Sequence, residues 1–320
     1  MTRVAAIDCG TNSVRLLIAD IHAGVLTDVE RRMEIVRLGQ GVDRTGRLAA
    51  EALERTFAAM RGYAELIERH GASAVRVVAT SATRDAANRQ DFVDGVREIF
   101  GVEPEVITGS EEAALSFAGA TRDLLRLSPE TGLPTPDGTR PPYLVFDIGG
   151  GSTEFVIGST HAEAALSVDI GCVRLTERHL GGSGAPPSPE TVEAIVADID
   201  DALDRVSEKV PVERALTLVG LAGSVTTVAG IALDLPEYDP ARIHHSRIPA
   251  NRAHDISRRL LEMTHEERAA IGVMHPGRVD VIGAGALILD RILRRYGFTE
   301  VVVSEHDILD GIAWSASKSS

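Results

Sequence analysis

Two short stretches of this sequence carry the residue types that hold phosphate. Asp8-x-Gly10-Thr11-Asn12-Ser13 follows the apolar run VAAID and precedes LLIAD. Asp147-x-Gly149-Gly150-Gly151-Ser152 ends YLVFDIG and precedes EFVIG. Each is an acid at the end of an apolar run, a tight turn, and a second apolar run. Glycine permits positive φ and close backbone approach, while serine and threonine add hydroxyl donors. Such a turn aims several backbone N–H groups at one point, which makes a nest for an anion. Taken singly, each turn is what an ordinary hairpin uses. Its recurrence between two apolar strands indicates a duplicated domain, and the two turns would then form opposite walls of an interdomain cleft, a common place for ligands.

Further stretches carry anion-binding or acid–base groups. ATSATRDAANR (79–89) begins at the end of an apolar strand and offers Thr80, Ser81 and Thr83 as hydroxyl donors and Arg84 as a fork-shaped anion ligand. It reads equally as a capped helix start. VITGSEEAALSFAGA (106–120) reads as a short strand, a turn and N-cap at Gly109 and Ser110, and a helix with Glu111 and Glu112 in its first turn. Acids there suit the helix dipole, and an acid buried in a cleft can activate a water. Adjacent helical residues point about 100° apart, so at most one of the two faces a site. GLAGSVTTVAG (220–230) reads as another glycine and hydroxyl turn entering a helix, with Gly223 and Ser224 at its start. HPGRVDVIGAG (275–285) adds Arg278 and a small-residue helix. His275, beside Pro-Gly, reads as structural. His244-His245 lacks the spacing of a helical metal pair, and the GxG at 283–285 lacks the rest of a dinucleotide fingerprint.

The elements that position these groups alternate between strand and helix. EALERTFAAMRGYAELIERHG is an amphipathic helix closed by Gly71, VRVVAT (75–80) is a buried strand, and a helix follows Ser188-Pro189-Glu190 to about Val206. The prolines between Leu127 and Tyr143 mark a division, and GGSGAPPSPET (181–191) is a second break. The domains expected are 1–127, with the C-terminal helix at about 304–320 returning to it, and 128–303.

Composition narrows the function classes. The 320 residues are 44% hydrophobic and 25% charged, with mean hydropathy +0.03, as in a folded two-domain protein. Basic residues number 33 against 47 acids, for a net charge of −14, which excludes nucleic acid and anionic membranes as partners and requires any anionic substrate to be held locally. Two cysteines, Cys9 and Cys172, cannot make a disulfide framework or a four-ligand zinc site. An aspartate at residue 8 leaves no room for a secretory signal, so a cytoplasmic location is expected. Ala215 to Leu233 carries no charge, but its hydroxyls and glycines read as a strand, a loop and a helix start, not a membrane span.

In this order, DCGTNSVRLLIAD, ATSATRDAANR, TGSEEA, DIGGGSTE, Gly171-Cys-Val-Arg174, GLAGSVTT, HPGRVDVIGAG and SEHDILDGIA resemble the exopolyphosphatase/guanosine pentaphosphate phosphohydrolase (Ppx/GppA) family of the actin-like ATPase superfamily. The likeness covers nearly the whole chain. It implies an α/β fold of two ribonuclease-H-like domains around a cleft. It also implies hydrolysis of the terminal phosphoanhydride of inorganic polyphosphate, with guanosine pentaphosphate as the alternative substrate, and leaves open both regulation by guanosine tetraphosphate and assembly as a homodimer. An ATP-dependent kinase of the same superfamily and a non-enzymatic polyphosphate-binding protein are the readings from other classes. Long family members carry further helical domains; this sequence stops at Ser320, and with net charge −14 that predicts a preference for short chains.

On this resemblance Glu112 is the catalytic acid that orients or deprotonates water, and Glu111 takes the helix-start role. The expected phosphate cradle is Gly10, Thr11, Asn12 and Ser13 with Gly149, Gly150, Gly151, Ser152 and Thr153, joined by Gly223 and Ser224. Arg84 offsets negative charge, with Arg15 and Arg174 as further cations. Mg²⁺ prefers oxygen ligands and keeps several waters, so Asp147 and Glu154 are the leading ligands, with Asp8 as a third candidate.

Overall fold

The computed structural model describes residues 2–127, 138–181 and 185–316. The chain divides into two compact units, one running to Gly119 and resuming at Ile308, the other spanning Ala120–Asp307. The proline-rich break after Leu127 falls mostly outside the described residues, as do residues 182–184 of the second break.

In the first unit, β1 (Thr2–Cys9), β2 (Ser13–His22) and β3 (Val25–Ile35) form an antiparallel meander. Next to β1 lie β4 (Ala74–Ala79) and β5 (Glu105–Val106), both parallel, giving the order β3-β2-β1-β4-β5 among the described residues. Successive strand residues face opposite sides. Ala5 and Ile7 therefore pack with α2 (Ala50–His70) and α4 (Arg89–Phe100), while Val4 and Ala6 pack with the last described helix, Ile308–Ala316. A strand buried on both faces reads as one apolar run, which is why VAAI lacks alternation. Gly71 ends α2 at φ +65°, where glycine carries no Cβ penalty. Between these elements lie the single turns α1 (Val42–Thr45) and α3 (Ser81–Asp85), and α5 (Gly109–Leu127) follows β5. The last helix comes so close to α5 that a Cβ at Gly311 would lie 2.2 Å from the Leu115 carbonyl oxygen. Its buried Asp310 is paired with Arg31 of β3 at 2.6 Å.

The second unit repeats the plan. β6 (Tyr143–Ile148), β7 (Thr153–Gly158) and β8 (Ala162–Val168) form the meander, and β9 (Thr217–Leu221) runs parallel to β6. The edge strand β10 (Arg247–Pro249) pairs antiparallel with β11 (Glu300–Val303), which is parallel to β9. Among the described residues the order β8-β7-β6-β9-β11-β10 matches the first sheet with one strand added. The helices are α6 (Cys172–Leu175), α7 (Pro189–Lys209), α8 (Ala222–Ala232), α9 (Pro240–Ile243), α10 (Ala250–Glu262), α11 (His265–Ala269) and α12 (Ile282–Tyr296). The two units are therefore copies of one ribonuclease-H-like α/β plan, the duplicated fold expected of an actin-like ATPase.

Three sequence expectations need correction. The short strand near residue 106 is Glu105–Val106, not VIT, and the N-cap of α5 is Thr108 instead of Gly109 or Ser110. The helix after Ser188 runs to Lys209, past Val206, because Val206 is itself fully buried and Lys209 suits the helix C-terminus. As the sequence predicts, the uncharged stretch 215–233 is β9 followed by α8, and no helix among the described residues is long and apolar enough to cross a membrane.

Candidate active site

In the first unit the chemistry gathers at the carboxyl ends of adjacent parallel strands, since Cys9, Ala79 and Val106 lie in register across β1, β4 and β5. That edge is where open α/β sheets bind ligands. The turn after β1 closes with Gly10 N–H donating to Ser13 O at 3.0 Å. The Thr11 carbonyl accepts from Gly39 N–H, and the Asn12 carbonyl from Val36 and Arg37 N–H, at 2.8–3.0 Å. With both carbonyls drawn back, the N–H groups of Thr11 and Asn12 donate to no backbone acceptor among the described residues. This is the polarity an anion nest requires. The Thr11 and Ser81 hydroxyls bond at 2.9 Å, tying the turn to α3.

Arg84 is the penultimate residue of that single helical turn. Its Nη1 donates to the Ile107 carbonyl at 3.0 Å and to Glu112 Oε2 at 3.1 Å. Its Nε and Nη2 reach no protein acceptor among the described residues, so one side of the fork is anchored and the other is open to an anion. The structure separates the two adjacent glutamates. Glu111 is exposed, accepts from Thr108 N–H and Oγ1, each at 2.9 Å, and donates its own N–H to Thr108 Oγ1 at 3.2 Å. That reciprocal pair is a capping box. Its hydrogen bonds, the backbone one foremost, hold the Glu111 carboxyl below the usual range. Glu112, one residue on, is buried to 8% and held by Arg84.

The second unit repeats the turn with different side chains. Gly149 N–H donates to Ser152 O at 3.0 Å. The Gly149 carbonyl accepts from Cys172 N–H, and the Gly150 carbonyl from Val173 and Arg174 N–H. The N–H groups of Gly150, Gly151 and Ser152 again donate to no backbone acceptor among the described residues. The start of α6 can come this close because residue 171 is glycine: a Cβ there would lie 2.4 Å from Gly150 O. Arg174 Nε donates to Gly151 O at 2.6 Å, so this arginine braces the turn.

The register puts a different residue opposite each turn acid. Asp8 faces Arg15 across β1 and β2, and Arg15 places both Nε and Nη2 on Asp8 Oδ2, at 2.9 and 2.6 Å. The first-unit acid is charge-balanced, and that face of the Arg15 fork is spent. Asp147 faces Glu154 across β6 and β7, and both are buried, to 7% and 1%. Two carboxylates directly opposite repel unless a cation lies between them or a proton is shared. Glu154 Oε1 also accepts from Ser152 Oγ at 2.8 Å and Ser167 Oγ at 2.7 Å. No group of three or more His, Cys, Asp or Glu among the described residues could hold a metal. A buried pair of carboxylates is a donor set that would fit a hard, largely hydrated ion such as Mg²⁺ and would not make a zinc-type cage.

At the end of β9, beside the turn, the Gly223 Cα lies against the Arg278 guanidinium, where a Cβ would be 2.3 Å from Cζ. Ser224 is buried against Gly285 of α12 and Cys172, so its side chain packs helices together. Burial pushes both cysteine thiols up, with Asp8 adding to the effect at Cys9. Ser167, the second hydroxyl on Glu154, went unseen in the sequence, where nothing marks a residue whose importance comes from facing position 154 across two strands.

Duplicated ribonuclease-H-like units, each with a glycine turn whose carbonyls are tied back by backbone N–H groups, define a protein of the actin-like class. A model of the Ppx/GppA phosphatase family matches residues 17–319, and the chain belongs to that family. It is 48% identical to Exopolyphosphatase 2 of Mycobacterium tuberculosis over 98% of both chains. It is 28% identical to the guanosine-5'-triphosphate,3'-diphosphate pyrophosphatase of Aeromonas salmonicida over 97% of this chain and 58% of that one. A crystal structure of an exopolyphosphatase-like protein superposes with a TM-score of 0.92 at 42% identity, covering 99% of each chain.

Proposed function

We propose that this chain is an exopolyphosphatase that hydrolyses the terminal phosphoanhydride of inorganic polyphosphate and releases orthophosphate. The observation that carries the reading is Glu112, a buried acid fixed by Arg84 while its neighbour Glu111 is spent on the helix cap. The 48% identity to a protein named Exopolyphosphatase 2 supports the substrate.

In this mechanism the turn N–H groups hold oxygens of the terminal phosphoryl group. The open side of Arg84 meets the charge that develops on them. Glu112 accepts a hydrogen bond from a water and aims its oxygen at the last phosphorus. The new P–O bond forms as the bridging P–O bond breaks. The water's proton passes through the Glu112 carboxylate, and the shortened chain leaves with the electron pair of the broken bond. A divalent cation, which we take to be Mg²⁺, would be held by Asp147 and Glu154 and would neutralise charge on the phosphate oxygens. Asp8, balanced by Arg15, is the weaker candidate ligand. Arg84 is the substrate-facing cation, whereas Arg15 and Arg174 position the turns. The buried, unpaired thiols fit a reducing, cytoplasmic setting, and net charge −14 favours short chains.

A phosphate-release assay across polyphosphate lengths, guanosine pentaphosphate and ATP tests the reading. We expect kcat/KM on short polyphosphate at least tenfold above that on guanosine pentaphosphate. The reverse ratio would transfer the assignment to the pentaphosphate, and absence of release from both would remove the hydrolase reading. Gly171→Ala gives a structural check. Its Cβ would drive the Gly150 and Gly151 backbone out of place, and a misplacement of about 1 Å costs about 10²-fold in rate. The expected result is that loss with an unchanged far-UV circular dichroism spectrum.

A further inference from the structure

Arginines gather at a second place in the first unit, away from the residues assigned above. A cavity of about 480 Å³, within the size range of small-ligand sites, is lined by Arg44, Arg47 and Arg55 together with Gln40, Thr45 and Glu51. Three cations to one acid is the reverse of the balance in the whole chain, where acids outnumber bases 47 to 33. Neither Arg44 nor Arg47 meets a carboxylate among the described residues. Arg55 is oriented by its own bonds, Nε to the Val36 carbonyl at 3.0 Å and Nη2 to Gln40 Oε1 at 3.4 Å.

The wall that carries these arginines is held on several sides. Gly41 and Gly46 flank α1 at φ +76° and +64°, so the single turn reverses sharply at both ends. The Thr45 hydroxyl donates to the Gly41 and Arg47 carbonyls. Leu48 is clamped by the Asn88 side chain, which accepts its N–H at 2.8 Å and donates to its carbonyl at 3.1 Å, and Ala87 N–H donates to the Gly46 carbonyl. Asn88 belongs to the stretch that carries Arg84, and Gly39, just before the cavity segment, donates to the Thr11 carbonyl of the phosphate turn. The cavity is thus built on a segment bonded to both of these stretches of the unit.

We propose that this cavity is an oligophosphate subsite that binds phosphates of the chain beyond its terminal unit. Forked guanidiniums match phosphate oxygens geometrically. A protein of net charge −14 must hold a polyanion with a local patch of this kind. The inference rests on the polyphosphate reading above but concerns binding, so it is tested without turnover.

The test is isothermal titration calorimetry at low salt with divalent cations chelated and phosphate release confirmed to be nil. Tripolyphosphate, polyphosphate of about a hundred units and GTP are titrated into the wild type, the double variant Arg44→Glu/Arg47→Glu and the milder Arg44→Gln/Arg47→Gln. These side chains are exposed, so both variants should fold, as a thermal melt would verify. We expect long-polyphosphate affinity to fall at least tenfold in the Glu variant and by a smaller factor in the Gln variant. Affinity within twofold of wild type in both would overturn the proposal, as would loss of GTP binding alone with polyphosphate binding intact. Loss of polyphosphate binding in a protein that never releases phosphate would uphold the subsite while sinking the hydrolase reading.

Discussion

Glu112→Gln is expected to lower turnover on polyphosphate by about 10²–10⁴-fold, the range that removal of a positioned acid–base group costs. The substitution keeps the shape of the side chain and its hydrogen bond from Arg84, so thermal stability and substrate affinity should hold. The matched control is Glu111→Gln. Its carboxylate serves the cap of α5, so its loss should appear in the melting temperature and not in the rate. The Glu111 pKa is depressed, so its contribution to stability is fully present above its unfolded value near pH 4.3 and is lost as pH falls through the lower folded value. A melting-temperature series between pH 7 and 3 should therefore show less acid sensitivity in Glu111→Gln than in wild type. If instead Glu111→Gln abolishes phosphate release while Glu112→Gln retains it, the roles of the pair are reversed.

Asp147→Asn and Glu154→Gln carry the second large effect. Loss of one carboxylate from a two-carboxylate site should move the divalent-cation activation curve to about 10–100-fold higher concentration, as weakening of a metal's ligand sphere does elsewhere. The same change relieves two buried like charges facing one another, so without metal the variants should melt no lower than wild type. Metal dependence and metal-free stability then move in opposite directions, which an ordinary packing defect cannot produce. Asp8→Asn provides the contrast. It leaves Arg15 without its carboxylate, so it should cost stability and leave the activation curve in place. A curve that shifts for Asp8→Asn and not for Asp147→Asn would place the metal in the first unit.

Much of the fold was legible because it rests on local patterns. The doubled acid–glycine–hydroxyl turn, the buried runs VAAI and YLVF, the Gly71 stop and the Ser188-Pro189-Glu190 start all read correctly, since each depends on backbone preferences within a few residues. One boundary was missed although it is equally local, since Thr108 and Glu111 have the spacing of a capping box. Thr108 outcompetes Gly109 and Ser110 as the cap because the Glu111 carboxylate folds back on it.

What the sequence alone determined was the kind of protein: a duplicated α/β chain with glycine and hydroxyl turns suited to phosphate and a family likeness along nearly its full length. Residue type and spacing suffice for that, because turn chemistry is local. Which glutamate is buried, which arginine keeps an open fork, and that Asp8 meets a cation while Asp147 meets a second acid were decided by the tertiary structure. Burial and strand register place residues distant in the chain side by side, and the charge at a site depends on what stands opposite.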